Sequence, residues 1–268
     1  MQTISVSAVQ MKSDIGNPIV NTAKTRTWID QASGAQADFV VFPECSLTGY
    51  SMEHAAEIAL DPNDECISDV ESAARNAGMA IGYGFIEREP PNGPMYVTYV
   101  IASRDSRLVY RKTHLGTRER KVIAYGNDLN VIAVNNVLVG VQLCWESHIP
   151  DITSTLRAKG AQLVVMPHAG GLGGNRRLES WARYLPARAL DNGIFVAACN
   201  AIQRNALDEI VGGGTAFYGP GGNAIAQYGS IDEHMTTVSI GGTLPREEEE
   251  GNMHSISYFD RRRLELYL

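Results

Sequence analysis

Val137-Leu-Val-Gly-Val-Gln-Leu-Cys144-Trp-Glu-Ser-His-Ile-Pro150 decides the fold. Its first seven residues form a continuous apolar, β-branched run, the pattern of a strand buried on both faces. Pro150 then opens a helix with Asp151 in its first turn, Arg157 and Lys159 in its last, and Gly160 as the stop. Cys144 therefore sits at a strand-to-helix elbow on the carboxyl edge of a sheet, where α/β proteins place their chemistry. A lone thiol is ordinarily buried and inert, a reading that suits Cys45, Cys66 and Cys199.

Two further strand ends set Cys144 apart from those three. Ala37-Asp-Phe-Val-Val-Phe-Pro-Glu44 is an apolar run that ends in a carboxylate, and Arg107-Leu-Val-Tyr-Arg-Lys112 is one that ends in an amine. Charged groups inside a strand would be costly unless paired. At strand ends, groups from distant sequence positions can converge on one another.

Phe-Pro-Glu44, Arg-Lys112-Thr-His-Leu with Glu119 seven residues on, and Cys144-Trp-Glu resemble, in order and spacing, the three signatures of the nitrilase (carbon–nitrogen hydrolase) superfamily. The resemblance extends to Val164-Val-Met-Pro-His-Ala169, Arg183-Tyr-Leu-Pro-Ala-Arg-Ala189 and Phe195-Val-Ala-Ala-Cys-Asn200, and so covers essentially the whole chain. It implies an α/β fold, a four-layer α-β-β-α sandwich, and one hydrolase domain over residues 1–268. The tail from about residue 246 is expected at a subunit interface. The implied catalytic set is Glu44, Lys112, Cys144 and Glu119, with Tyr50, Trp145, Glu146 and His168 as substrate-binding candidates.

The residue types suit that chemistry. A cysteine is mostly thiol at neutral pH, so an adjacent amine favours the thiolate and a carboxylate can take the proton. Lys112 and the backbone N–H of Trp145 are the expected oxyanion donors. Glu119 is expected to position substrate and hold Lys112 or Cys144 in register. The expected reaction is amide hydrolysis through a thioester, with nitrile hydrolysis through a thioimidate as runner-up. A carbamoyl-acid hydrolase is disfavoured, because Ser147-His148-Ile149 stands where those enzymes carry arginines. Arg176 and Arg177 are candidates for a carboxylate clamp, although surface exposure is their ordinary reading. A scaffolding role is the non-enzymatic alternative, opposed by the intact Glu44, Lys112 and Cys144.

Composition bounds the rest. The chain has 268 residues, 44% hydrophobic and 20% charged, with a formal charge of −7. Without a basic stripe, that charge disfavours nucleic acid and acidic membranes as partners. There is no His-Glu-x-x-His, no paired Cys spacing and no nucleotide fingerprint, so neither a metal nor another cofactor is expected. Gly212-Gly-Gly214 and Gly219-Pro-Gly-Gly222 read as turns. The chain opens into Thr3-Ile-Ser-Val-Ser-Ala-Val9 without a signal segment, and a reducing cytosol fits the unpaired thiols.

The order of elements reads strand, helix, strand throughout, with helices over 64–77, 150–159 and 177–192. Ala37-Asp-Phe-Val-Val-Phe-Pro-Glu44 and Ala161-Gln-Leu-Val-Val-Met-Pro-His168 share the pattern Ala-x-x-Val-Val-x-Pro-x, a weak internal echo that suggests two similar halves. Glu247-Glu-Glu-Glu250 reads as a solvated loop. Trp181, Tyr184, Leu185 and Leu190 on one helix suggest a second buried face, and hence a homodimer or larger homo-oligomer.

Overall fold

A computed structural model describes residues 3–204, 210–241 and 258–266. Its first half runs β1 (Ile4–Gln10), α1 (Pro18–Gly34), β2 (Phe39–Val41), α2 (Ala55–Ile58), α3 (Glu65–Asn76), β3 (Ala80–Arg88), β4 (Met95–Ala102) and β5 (Arg107–Arg111). The second half begins with β6 (Val131–Val134), β7 (Val137–Val141), α4 (Pro150–Ala158), β8 (Leu163–His168), α5 (Asn175–Trp181), α6 (Leu185–Asn192) and β9 (Phe195–Asn200). It continues through β10 (Ile202–Arg204), β11 (Ile210–Gly212), β12 (Thr215–Tyr218), β13 (Ala224–Tyr228) and β14 (His234–Ile240).

One six-stranded sheet has the order β14-β1-β2-β3-β4-β5 and the other β13-β12-β9-β8-β7-β6. The alternation of side chains along each central strand explains the layers. Phe39 and Val41 on β2, with Leu163 and Val165 on β8, meet in a core between the sheets. Val40 points the other way, toward Ile29 of α1 and Val70 of α3. Val164 and Met166 likewise face Leu156 of α4, Trp181 of α5 and Leu185 of α6. Each central strand is thus apolar on both faces because each face is covered. The result is the four-layer α-β-β-α sandwich.

Side-chain caps start two of the helices. Asn17 caps α1 by accepting from the Val20 N–H at 3.4 Å, and Asp64 caps α3 by accepting from the Cys66 N–H at 2.9 Å. The echoing segments occupy equivalent places: β2 lies between parallel partners β1 and β3, and β8 between β7 and β9. The Gly219–Gly222 turn closes the antiparallel β12–β13 hairpin.

Two expectations are corrected. The helix expected over 177–192 is two helices, α5 and α6, because Pro186 has no N–H to offer the preceding turn and its ring would collide there. Trp181 and Leu185 are fully buried in their own subunit's core, which removes two of the four groups taken as evidence for a self-association face. The described tail residues Phe259 and Asp260 lie against Arg157 of the same chain, with a 3.5 Å contact between Arg157 and Asp260. Glu247–Glu250 and the rest of the tail fall outside the described residues.

Candidate active site

The three strand ends converge. Pro43 and Glu44 follow β2, and Gly84 on β3 lets that backbone come close: a Cβ there would stand 1.6 Å from the Glu44 carbonyl oxygen. Lys112 directly follows β5, and its main-chain N–H donates to the Val97 carbonyl at 2.9 Å. Buried Lys112 reaches across to donate from Nζ to Glu44 Oε1 and to Glu119 Oε1, each at 2.7 Å. Glu119 opens a single 3-10 turn. Its Oε1 also accepts from the Tyr50 hydroxyl at 2.9 Å, and its Oε2 from the Gly116 N–H at 2.6 Å. Glu44 differs from Glu119 in one respect: its Oε2 is buried and has no hydrogen-bond partner.

Cys144 begins a 3-10 turn with φ +40°, a left-handed conformation that a residue with a Cβ adopts only under constraint. The constraint is visible. The buried Gln142 side chain donates to the Ile149 carbonyl at 2.9 Å and accepts from the Thr153 hydroxyl at 2.7 Å. The backbone of Ala169, one residue past β8, favours loss of the thiol proton. Burial is the main reason that the thiol is pushed up to about 12; nearby Glu44 adds to this, and Lys112 and Arg177 oppose it. Burial also raises the Glu44 carboxyl to about 7, with Lys112 pulling it down and Glu119 pushing it up. Burial works against the charge on Lys112, yet Glu44, Cys144 and Glu119 outweigh it and hold the amine well above its ordinary value. A proton-accepting carboxylate poised near neutrality, a thiol that must lose a proton, and a fixed cation are the parts that nucleophilic acyl transfer requires.

The substrate-binding candidates divide. Trp145 is half exposed beside the thiol, its ring 5.7 Å from that of His148. Tyr50 joins the cluster through Glu119.

Glu146 does not face a substrate. It is fully buried, and Oε1 accepts from the Thr113 N–H (2.8 Å), the Thr113 hydroxyl (2.7 Å) and the His114 N–H (3.0 Å). Oε2 accepts from the Leu143 N–H at 2.8 Å, and the Tyr110 hydroxyl lies 2.8 Å from both oxygens. Glu146 thereby staples the segment after Lys112 to the residue before Cys144, which corrects its expected role.

His168 is corrected in the same way. Its Nδ1 lies 2.9 Å from the Met166 carbonyl and its Nε2 accepts from the Trp181 indole at 3.1 Å. Burial first, then Arg177, keeps this imidazole neutral.

The influence of the Ala169 backbone on the thiol escaped the sequence reading. Its only signal was the glycine-rich stretch after β8. Among the described residues, no cluster of three or more His, Cys, Asp or Glu is arranged to hold a metal, and no helix is long and apolar enough to cross a membrane.

Comparison with known proteins agrees with this geometry. Over 98% of its length, the chain is 28% identical to a 2-oxoglutaramate amidase from Bacillus subtilis, covering 99% of that protein. It is 26% identical to a nitrilase from Pyrococcus abyssi, covering 98% of this chain and 99% of that one. Among solved structures, an amidase from Nesterenkonia, here as a Cys-to-Ala mutant, superposes with a TM-score of 0.81 at 22% identity, over 98% of this chain and 95% of that one. The carbon-nitrogen hydrolase family model matches residues 5–242. With its converging Glu, Lys and Cys, the chain belongs to the carbon–nitrogen hydrolase family and is an enzyme acting on C–N bonds.

Proposed function

We propose that the protein is a small-molecule amidase that releases ammonia through a thioester on Cys144. The observation that carries this reading is the buried Glu44 carboxylate, with one oxygen held by Lys112 and the other unpartnered. The free oxygen takes the thiol proton as Sγ bonds to the amide carbon. Negative charge moves to the carbonyl oxygen, where Lys112 and the Trp145 N–H are the proposed donors. Protonated Glu44 passes its proton to the leaving nitrogen as the C–N bond breaks. It then accepts a proton from the water that hydrolyses the thioester. One carboxylate serves as base, acid and base again. Glu119 holds Lys112 and places the substrate.

Intact-mass trapping with short amides and matching nitriles tests the reading. A covalent acyl adduct on Cys144, with ammonia released, is the expected result from the amides. An adduct from nitriles alone would transfer the assignment to nitrilase chemistry, and no adduct from either would favour a scaffold.

Homo-oligomerisation and residence in a reducing cytosol remain part of this proposal. All four cysteines are free, as such a compartment requires. Light scattering at micromolar concentration tests the former, and a purely monomeric mass would refute it.

A further inference from the structure

Resting on the oxyanion role given above to the Trp145 N–H, we propose that Ser147 is a positioning residue, whose hydroxyl fixes the Cys144–Trp145 peptide so that this N–H faces the reacting carbonyl. Ser147 is fully buried, and its Oγ donates to the Cys144 carbonyl at 2.5 Å. A trans peptide is planar, and its N–H points opposite to its C=O. Whatever anchors the Cys144 carbonyl therefore aims the Trp145 N–H the other way. The 3-10 turn does not claim that N–H for itself. Its first main-chain bond runs from the Glu146 N–H, one residue further on, to the Leu143 carbonyl at 2.8 Å. An anchor matters here because Cys144 holds a φ of +40°, a strained conformation that persists only while its surroundings impose it.

The direction of the Ser147 proton follows from its neighbours. A hydroxyl has a single hydrogen to give. The Cys144 carbonyl and His168 Nε2, which lies 3.4 Å from Ser147 Oγ, compete for it. The Met166 carbonyl only accepts, so His168 donates to it through Nδ1 at 2.9 Å and keeps Nε2 as an acceptor. The Trp181 indole N–H fills that acceptor at 3.1 Å. Ser147 is thereby turned toward Cys144. The bonds that saturate His168 thus form a relay, from Trp181 through His168 and Ser147 to the main chain beside the nucleophile. The Ser147 backbone is held as well, its carbonyl accepting from Arg188 Nε of α6 at 3.1 Å.

The test separates attack that charges a substrate oxygen from attack that does not. Ser147→Ala is assayed with short amides, with butyraldehyde as a reversible inhibitor, and with iodoethane. Butyraldehyde takes Sγ onto its carbonyl carbon and the thiol proton onto its oxygen, and so places that oxygen where the oxyanion forms. Iodoethane alkylates the sulfur at a saturated carbon and expels iodide; it draws on the thiolate but not on the Trp145 N–H. An oxyanion donor removed outright costs at least ~100-fold, so one left unaimed should cost about 30-fold in kcat with KM nearly unchanged. Butyraldehyde affinity should fall by a similar factor, while the rate of Cys144 alkylation holds. Ser147→Thr, which keeps the hydroxyl, should restore turnover. An equal loss in alkylation would make Ser147 a support for the thiol alone and overturn the aiming role, as would unchanged turnover and aldehyde affinity. Should Ser147→Ala not fold, Trp181→Phe puts the same question, because an unfilled Nε2 draws the Ser147 proton away from Cys144. The same split is expected there, and an even loss, or none, would be fatal. If the wild type hydrolyses no amide, the amidase reading falls, and the aldehyde and alkylation arms still decide the role of Ser147.

Discussion

The strand ends Phe42-Pro43-Glu44 and Met166-Pro167-His168 are built alike and meet, the Glu44 N–H donating to the His168 carbonyl at 3.3 Å. The first follows and the second closes a central strand flanked by parallel neighbours, and each ends in a fully buried ionisable side chain. They differ in satisfaction. Both ring nitrogens of His168 are engaged by Met166 and Trp181, while Glu44 keeps one buried oxygen unpartnered. Burying a polar atom without a partner works against folding. A side chain that tolerates such a deficit is a candidate for chemistry, and a saturated one is a candidate for architecture. The fold carries two copies of a strand-end design and leaves only one of them open.

The widest gap between the two should appear in Glu44→Gln. Its shape is kept but the base is lost, so kcat should fall by about 100-fold or more with little change in melting temperature. If steady-state kinetics show a small loss, the open oxygen is not the proton acceptor.

Glu146→Gln sharpens the contrast, because Glu146 is a carboxylate like Glu44 but saturated like His168. An amide has one NH2 where a donor already points: turned toward Leu143 it opposes that N–H, and turned the other way it opposes Thr113 and His114. A loss of about 3 kcal/mol is expected, read as a fall in the denaturation midpoint. An unaltered midpoint would mean that saturation does not mark a structural group.

His168→Phe should cost roughly 1–3 kcal/mol, through the orphaned Trp181 indole N–H and Met166 carbonyl. Its kcat should decline far less than that of Glu44→Gln. A larger kinetic loss than in Glu44→Gln would reverse the assignment of the two ends.

The smallest effect is in pH. The Glu44 carboxyl is raised from its ordinary 4.5 to about 7, so the native state holds that proton more tightly than the unfolded chain. This contribution to stability is fully present below 4.5 and is lost as pH rises through 7. The melting temperature of Glu44→Gln, relative to wild type, should therefore rise across that interval. The same ionisation should give kcat/KM an acid limb near 7, an apparent value shared with Lys112 and Glu119. A flat difference in melting temperature across that interval would deny the elevated carboxyl.

Much of this was legible in sequence because it rests on local signals. Apolar runs and the abrupt charges at residues 44 and 112 marked the strands and their ends, and the family resemblance implied the four-layer sandwich and the catalytic set. Glu146 was misread because its partners, Tyr110, Thr113 and His114, lie more than 30 positions away, and saturation is visible only once they are in place. Trp181 and Leu185 suggested an outer face because the break before Pro186, which resets the direction of the helix, was read through. Arg177 looked like a surface residue because the glycines that make room for it, Gly171 and Gly214, come from separate loops.

The pairing of β14 with β1 has a consequence for how the molecule is made. Ile4 is matched with Ile240 and Gln10 with His234, so β1 takes its antiparallel neighbour from more than 200 positions further along the chain. At ribosomal speed that is a wait on the order of tens of seconds. Throughout it, the free side of β1 is an edge onto which any passing strand can add. The nascent chain is therefore most vulnerable to mispairing at a strand that carries none of the catalytic groups. Chaperone demand and truncation sensitivity should be governed by β14 rather than by the residues that do the chemistry.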